Sequence, residues 1–351
     1  MKIGYLTQTL NRGTGGGRFA ADIIDGVKAS GHQVIVLKEL NDNSEGLAIL
    51  GRGIRTVTCV PKVINLLKSC DVIHALDGYP YGITAWLANI FIKRKLFISA
   101  LGTYAVAPLY RSSTAFLLKR AYKSANKVIA ISNFTKNEIL KKVKIENIVV
   151  VTPGIDTKQI EIISNKQDKF IISVGGIKER KGYHISIEAF GLIKDKFPDF
   201  KYIIVGDKDD AWQTILDKVI QKYDLKDRVV FMSNVSENKL EELYDNASLF
   251  ILTPINTPDH HIEGFGLVYL EAARSGLAVI GTLGTGAEDA INNGKNGILV
   301  KQNDPENTAD AMSKILSNDF IKNNMHKESI IWTKENNIEN QIKKIVTIYE
   351  E

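Results

Sequence analysis

An α/β fold of two successive Rossmann-like units is what this sequence predicts, and three observations predict it. Short apolar blocks of strand type alternate with amphipathic blocks of helical period. The alternation runs its course twice, and 351 residues exceed what one ordinary hydrophobic core holds. A parallel sheet covered by helices is the arrangement that such alternation implies. The 44 % hydrophobic content is that of a folded globular chain.

The first series opens with Lys2 to Thr7, a short apolar strand. The glycine turn Gly13 to Gly17 follows, then an amphipathic helix from Phe19 to Ser30 that stops at Gly31. His32 to Leu37, Val72 to Ala75, Leu96 to Ala100, Lys127 to Ile131 and Ile148 to Val151 continue as β-rich pieces with helices between them. A second series begins after Pro153-Gly154. Its strands are Lys169 to Val174, Tyr202 to Val205, Val229 to Phe231, Leu249 to Leu252, Ala278 to Gly281 and Gly297 to Val300, with helical blocks such as Ser186 to Phe197 and Leu240 to Asn246. The domains expected are 1–155, 156–330 and a C-terminal polar helix over 331–351 that has the N-terminal domain to pack back on. The junction is placed at about 152 to 168, where Asp, Thr, Asn, Lys and Gln accumulate. Ligands of open parallel sheets sit beyond the carboxyl ends of the strands, so two such units are expected to face each other across a ligand-binding cleft.

Composition excludes several classes. No stretch approaches the roughly 18 to 20 uninterrupted apolar residues that cross a bilayer, and Met1-Lys-Ile-Gly-Tyr-Leu runs into a strand pattern rather than a cleavage site. A cytoplasmic protein is expected. Cys59 and Cys70 are the only cysteines, too few for a disulfide framework or a thiolate metal centre. The net charge of +5 hides an asymmetry: residues 1–155 hold 21 Lys+Arg against 9 Asp+Glu, and the remainder 24 against 31. The basic half suits an anionic membrane or a phosphorylated acceptor. No nucleic-acid motif accompanies it, and no nucleic-acid partner is expected.

The most informative segment is Glu263-Gly-Phe-Gly-Leu-Val-Tyr-Leu-Glu271. Glycines 264 and 266 favour a turn that exposes backbone N–H groups, with a helix starting beside them. Eight helical steps would separate the two carboxylates by about 12 Å and roughly 80°, so one Glu belongs to a loop and the other to a helix. Two separated acids with N–H donors between them suit a ligand with hydroxyls at both ends and a phosphate in the middle. A capped surface helix with incidental acids is the plainer alternative.

Further motifs occur in a fixed order. They are the Gly15-Gly16-Gly17 turn, Asp71-Val-Ile-His74, Ile129-Ala-Ile-Ser-Asn-Phe-Thr135 and Pro153-Gly-Ile-Asp156. Val174-Gly-Gly-Ile-Lys-Glu-Arg-Lys-Gly182, Val205-Gly-Asp207, Glu263 to Glu271 and Gly284-Thr-Gly-Ala-Glu288 complete the series. With them the chain resembles, over nearly its whole length, the retaining glycosyltransferases of family 4 (glycosyl transferases group 1), which have the GT-B fold.

The resemblance implies a metal-independent, hexosyltransferase-type enzyme without a cofactor. It would move a sugar from a UDP- or GDP-sugar to a glycan or lipid-linked acceptor during assembly of cell-surface polysaccharide, lipopolysaccharide or glycolipid. It would work in the cytoplasm or peripherally on the inner face of the membrane. A sugar-diphosphate bond leaves about two negative charges to be stabilised, and Lys181, Arg180 and backbone donors are the groups implied there. Glu271 resembles the acid that binds the ribose hydroxyls, and Glu263 the acid beside the donor sugar. Gly264, Phe265 and Gly266 would offer N–H groups to the sugar, Leu267 joins the donor-binding set, and Gly16 and Gly17 would approach the phosphates. Two positions depart from the family pattern: Leu101 stands where relatives carry a histidine, and Gly176 where they carry an arginine. His74 is therefore the histidine named as catalytic, with a structural role as its alternative. Asp77, Tyr79, Tyr81 and Tyr104 are acceptor-side candidates. The helix Ser112 to Lys127 either rests on an anionic membrane or packs against the core with a solvated basic face. The rival functions are an inactive GT-B partner or stabilising subunit, and a dinucleotide-dependent oxidoreductase. The latter lacks a well-spaced Gly-x-Gly-x-x-Gly followed by its acid.

Overall fold

The computed structural model describes residues 1–157 and 168–351, so most of the junction expected at 152–168 lies outside the described residues. The chain forms two compact units. The first comprises Met1–Pro153, Asp259–Gly264 and Ile338–Glu351; the second comprises Gly154–Pro258 and Phe265–Asn337.

The sheet of the first unit has seven parallel strands in the order β3-β2-β1-β4-β5-β6-β7. They are β1 (Lys2–Leu6), β2 (Gln33–Glu39), β3 (Leu47–Leu50), β4 (Val72–Ala75), β5 (Lys95–Ala100), β6 (Lys127–Ala130) and β7 (Ile148–Val150). The order reverses between β1 and β4, the place where doubly wound sheets bind ligands. Its helices are α1 (Gly15–Ala29), α2 (Arg55–Thr58), α3 (Val60–Leu67), α4 (Ile83–Ile92), α5 (Thr103–Val106), α6 (Ser112–Ser124) and α7 (Asn133–Leu140). Six strands match the sequence reading; β3 is an addition, four residues long and flanked by glycines 46 and 51. The glycine turn is corrected as well. Thr14 accepts the Gly17 N–H on its side chain and caps α1, so Gly15 to Gly17 form the first helical turn rather than a loop ahead of it.

The sheet of the second unit has six parallel strands in the order β10-β9-β8-β11-β12-β13, again reversing at one central point. These are β8 (Phe170–Val174), β9 (Lys201–Val205), β10 (Val229–Met232), β11 (Leu249–Ile251), β12 (Val279–Thr282) and β13 (Gly297–Val300). Around them lie α8 (Tyr183–Ile193), α9 (Asp210–Lys222), α10 (Glu237–Asn246), α11 (Leu267–Arg274), α12 (Ala287–Ala290), α13 (Pro305–Leu316) and α14 (Asp319–Glu335). Every residue of β4, β8 and β12 is buried, the pattern of strands covered on both faces.

The last helix, α15 (Ile338–Glu350), belongs to the first unit and packs on α1. It is not polar throughout: Ile342, Ile345, Ile348 and Tyr349 are buried. Tyr349 enters a closed polar network whose centre is His74 on β4. His74 Nδ1 lies 2.6 Å from the Tyr349 hydroxyl and Nε2 2.9 Å from Ser99 Oγ, while Tyr349 also meets Tyr5 at 3.1 Å. The imidazole is fully buried, and burial pushes its pKa down to about 3, so it is neutral and has both nitrogens engaged. The catalytic role given to His74 is corrected on this ground: it fastens the terminal helix to the sheet. Tyr349→Phe should destabilise the protein by about 1 to 3 kcal/mol, because it leaves buried polar groups of His74 and Tyr5 without this partner. Denaturant unfolding measures the loss; an unchanged midpoint would contradict the anchoring role.

Candidate functional site

All strands of the second sheet run the same way, so the segments that follow β8, β9, β11 and β12 gather at one edge. The segment after β8 carries Gly175 to Gly182. Ile177 N–H donates to Asp207 O at 2.9 Å, tying the segment to the end of β9. The Tyr183 hydroxyl donates to Gly175 O at 2.5 Å. A short 3-10 turn, Glu179–Lys181, ends at Gly182 with φ +65°. Only glycine fits there, since a β-carbon would lie 1.7 Å from Thr253 O. Thr253 Oγ1 donates to Gly182 O at 2.8 Å, and Ile255 N–H to Arg180 O at 2.9 Å. The turn is therefore pinned to the segment after β11. Lys181 is held nearly buried, its Nζ 3.5 Å from where a β-carbon of Gly175 would stand. A nearly buried ammonium at the carboxyl edge of a parallel sheet, two residues before α8, can receive an anion.

Glu271 is buried on α11, and the Tyr244 hydroxyl of α10 donates to its Oε2 at 3.1 Å. Tyr244 is a residue the sequence reading missed, because 27 positions separate it from Glu271 and nothing local links the two. Gly266, with φ +87°, turns the chain into α11, where the Tyr269 hydroxyl reaches back to Leu252 O at 2.8 Å. Phe265 is buried and Leu267 partly exposed. Gly284 N–H donates to Glu288 at 2.8 Å, so that acid caps its own turn.

Glu263 is buried in the irregular stretch Asp259–Gly264, which folds with the first unit. The loop after β5 grips this stretch. Thr103 Oγ1 accepts the Ile262 N–H at 3.0 Å and donates to Ile262 O at 2.9 Å. Gly102 and Gly264 meet backbone to backbone: a β-carbon on Gly102 would stand 2.9 Å from Gly264 Cα. Thr135 Oγ1 donates to Gly264 O at 3.3 Å, and His260 stacks on Tyr110 with ring centres 3.4 Å apart. One Glu thus stands in a loop and the other on a helix, as the spacing required. The sequence reading marked Leu101 of this loop as a departure from the family and Tyr104 as an acceptor-side candidate, and gave Gly102 and Thr103 no role.

Near the same loop, Asp77 follows β4 and is buried. Burial pushes its carboxyl up to about 7, although the Gly78 N–H at 2.7 Å, the Arg52 charge and the Leu101 backbone favour the ionised form. Arg52 pairs with Glu39 at 2.8 Å and lies 5.0 Å from the Tyr104 ring centre, while the Tyr81 hydroxyl donates to Glu39 at 2.6 Å. On α1, the Gly17 N–H is taken by Thr14, and a β-carbon there would lie 2.1 Å from Asn11 O, so Gly17 serves the turn itself. Gly15 and Gly16 stand in open space. Among the described residues no cluster of three or more His, Cys, Asp or Glu could hold a metal ion.

Replacing Thr103 by Val removes both bonds to Ile262 and leaves a near-isosteric side chain. The protein should lose about 1 to 2 kcal/mol of stability. Denaturant unfolding decides: an unchanged midpoint would show that the two bonds do not hold the segment.

Two Rossmann-like units, each a parallel sheet whose strand order reverses once, form the GT-B fold. The chain belongs to the family described as glycosyl transferases group 1, whose profile matches residues 155–332; the profile described as glycosyltransferase family 4 matches residues 13–159. WcaL of Escherichia coli K12, whose name places it in colanic acid biosynthesis, is 32 % identical over 147 residues, 42 % of this chain and 35 % of WcaL. The chain therefore spans about a third of that relative's length. An uncharacterized glycosyltransferase of Methanocaldococcus jannaschii is 25 % identical over 292 residues, 82 % of this chain and 78 % of its own. The crystal structure of Anabaena HepE in complex with UDP and glucose superposes with a TM-score of 0.83 over all of both chains at 18 % identity, a likeness of fold alone. No helix among the described residues is long and apolar enough to cross a membrane.

Proposed function

We propose that the protein is a retaining, metal-independent glycosyltransferase that takes a hexose from a nucleoside-diphosphate sugar and delivers it to a hydroxyl of a glycan or lipid-linked acceptor in cell-surface polysaccharide assembly. The observation that carries this reading is the nearly buried Lys181, held by the turn that Gly182 closes at the carboxyl edge of the second sheet. In the proposed complex its ammonium and the N–H groups at the start of α8 receive the diphosphate, and Arg180 adds a second cation. The Glu271 carboxylate, oriented by Tyr244, accepts hydrogen bonds from the ribose hydroxyls. Glu263 stands at the donor sugar and stabilises positive charge as the glycosidic bond opens, while the leaving phosphate takes the acceptor's proton. Asp77, Tyr79 and Tyr104 are assigned to the acceptor, whereas Tyr81 is buried with its hydroxyl on Glu39 and is left out. Relatives named for colanic acid biosynthesis, and the UDP bound in HepE, support the pathway class and a UDP-sugar as the first donor to try.

The test is incubation with UDP-, GDP- and ADP-sugars in the presence of a metal chelator, scored for donor hydrolysis or transfer and for the anomeric configuration of the product by NMR. Turnover with retained configuration is expected. Donor binding without any turnover would favour the inactive-partner reading instead. A second variant examines the ribose contact: Glu271→Ala should weaken nucleotide-sugar binding by about 1 to 3 kcal/mol, through lost charge-assisted bonds. Calorimetry that found equal affinity would remove Glu271 from the site.

A further inference from the structure

Residues Asp259–Gly264 leave the second unit to fold with the first, and they carry Glu263 with them. Thr103 on Ile262, Gly102 against Gly264 and Thr135 on Gly264 fix where this stretch ends. The direction in which the chain enters it is set at His260, three residues before the acid. His260 has φ +64°, a left-handed backbone that is costly for a residue with a β-carbon and persists where the surroundings impose it.

The surroundings here are one aromatic ring. The imidazole lies on Tyr110 with ring centres 3.4 Å apart and planes 22° from parallel. Lys142 Nζ stands 3.9 Å from the same ring centre. Two groups so close to one centre cannot share a face, so imidazole and ammonium take opposite faces of the ring. Tyr110 itself is firmly mounted. It closes the 3-10 turn Ala107–Tyr110, whose other three residues are buried, and Leu109 of that turn belongs to the apolar core of the first unit. The Thr114 hydroxyl donates to Pro108 O at 2.8 Å and ties the turn to α6.

We propose that Tyr110 is a positioning residue for Glu263, acting through His260: its ring holds the left-handed turn that sets where the acid stands. The inference rests on the role given to Glu263 above. Without the ring, His260 is released toward the ordinary backbone region, and the chain then approaches Ile262 and Glu263 from another direction. Donor affinity is assigned to Lys181 and Glu271 of the second unit, so losing the stack should act on turnover and spare donor KM.

The experiment compares Tyr110→Leu, Tyr110→Phe, His260→Gly and the Tyr110→Leu/His260→Gly pair in the full chain. Hydrogen exchange without any donor comes first. In Tyr110→Leu the amides of residues 259–264 should exchange about tenfold faster, with those of the second sheet unchanged. Kinetics follow on whichever of the UDP-, GDP- and ADP-sugars turns over fastest. Tyr110→Leu should lower kcat about tenfold or more at nearly constant donor KM, because a small displacement of a reacting group costs that much. Tyr110→Phe keeps the ring and should keep kcat. Glycine is at ease at φ +64° but offers no ring, so His260→Gly should match Tyr110→Leu, and the pair should lose no more than either alone.

Unaltered exchange in Tyr110→Leu would overturn the proposal, as would faster exchange with unaltered kcat, additive losses in the pair, or a Tyr110→Phe enzyme as impaired as Tyr110→Leu. Glu263→Gln, assayed alongside, separates the two levels. If it is inactive while Tyr110→Leu is fully active, the positioning role alone fails. If it is fully active, or if the unaltered chain turns over none of these donors, the reading of Glu263 fails and takes the positioning role with it.

Discussion

Glu263→Gln is expected to lower turnover about a hundredfold or more while donor affinity changes little, the scale on which losing one preorganised charge acts at a reaction centre. Glutamine keeps the shape of the side chain and one acceptor oxygen, replaces the other oxygen by an amide donor and removes the charge. The backbone on either side is fixed independently, by Thr103 on Ile262 and by Thr135 on Gly264, so the substitution should leave the segment where it is. A charge that stabilises an opening glycosidic bond matters most in the transition state, and its loss therefore appears in kcat rather than in donor KM. A Glu263→Gln enzyme with full turnover would show that this acid takes no part in the chemistry.

Lys181→Met should be the other severe variant, with kcat/KM for the donor reduced by about two to three orders of magnitude. Methionine keeps the apolar stem of the side chain and is one atom shorter, and the turn that carries it is held by the Thr253 bond to Gly182 and the Ile255 bond to Arg180. The diphosphate is charged both before and after bond cleavage, and most so as it leaves. The loss should therefore be shared between affinity and turnover, unlike the pattern at Glu263. An unaffected affinity for the free nucleoside diphosphate would contradict the phosphate role. The thermal midpoint, recorded alongside, establishes that the variant is folded.

What could be read from residues alone followed physical range. The strands of both sheets announce themselves by apolar runs bounded by polar or glycine residues, and both series were legible. Leu47–Leu50 was not, because four residues between glycines carry little periodic signal. Lys181-Gly182 and Glu263 to Glu271 are local patterns, visible in the chain before any folding. Their supports are not local: Tyr244 reaches Glu271 across 27 residues and Thr103 reaches Ile262 across 159, distances that only the fold closes. His74 misled for the opposite reason. A histidine in a conspicuous motif drew a catalytic assignment, yet its neighbours Val72, Ile73 and Ala75 form the buried run of a central strand, and a polar residue inside such a run is held by partners. Tyr349, the partner it needed, lies 275 residues away.

The central claim is that the second unit holds a nucleoside diphosphate, with Lys181 at the phosphates and Glu271 at the ribose. Its most direct test is a crystal structure of the chain with the nucleoside diphosphate that most raises its melting temperature. The claim predicts the Lys181 ammonium within hydrogen-bonding distance of a phosphate oxygen and both ribose hydroxyls directed at the Glu271 carboxylate. A nucleotide bound elsewhere, or bound with those two side chains out of contact, would contradict it.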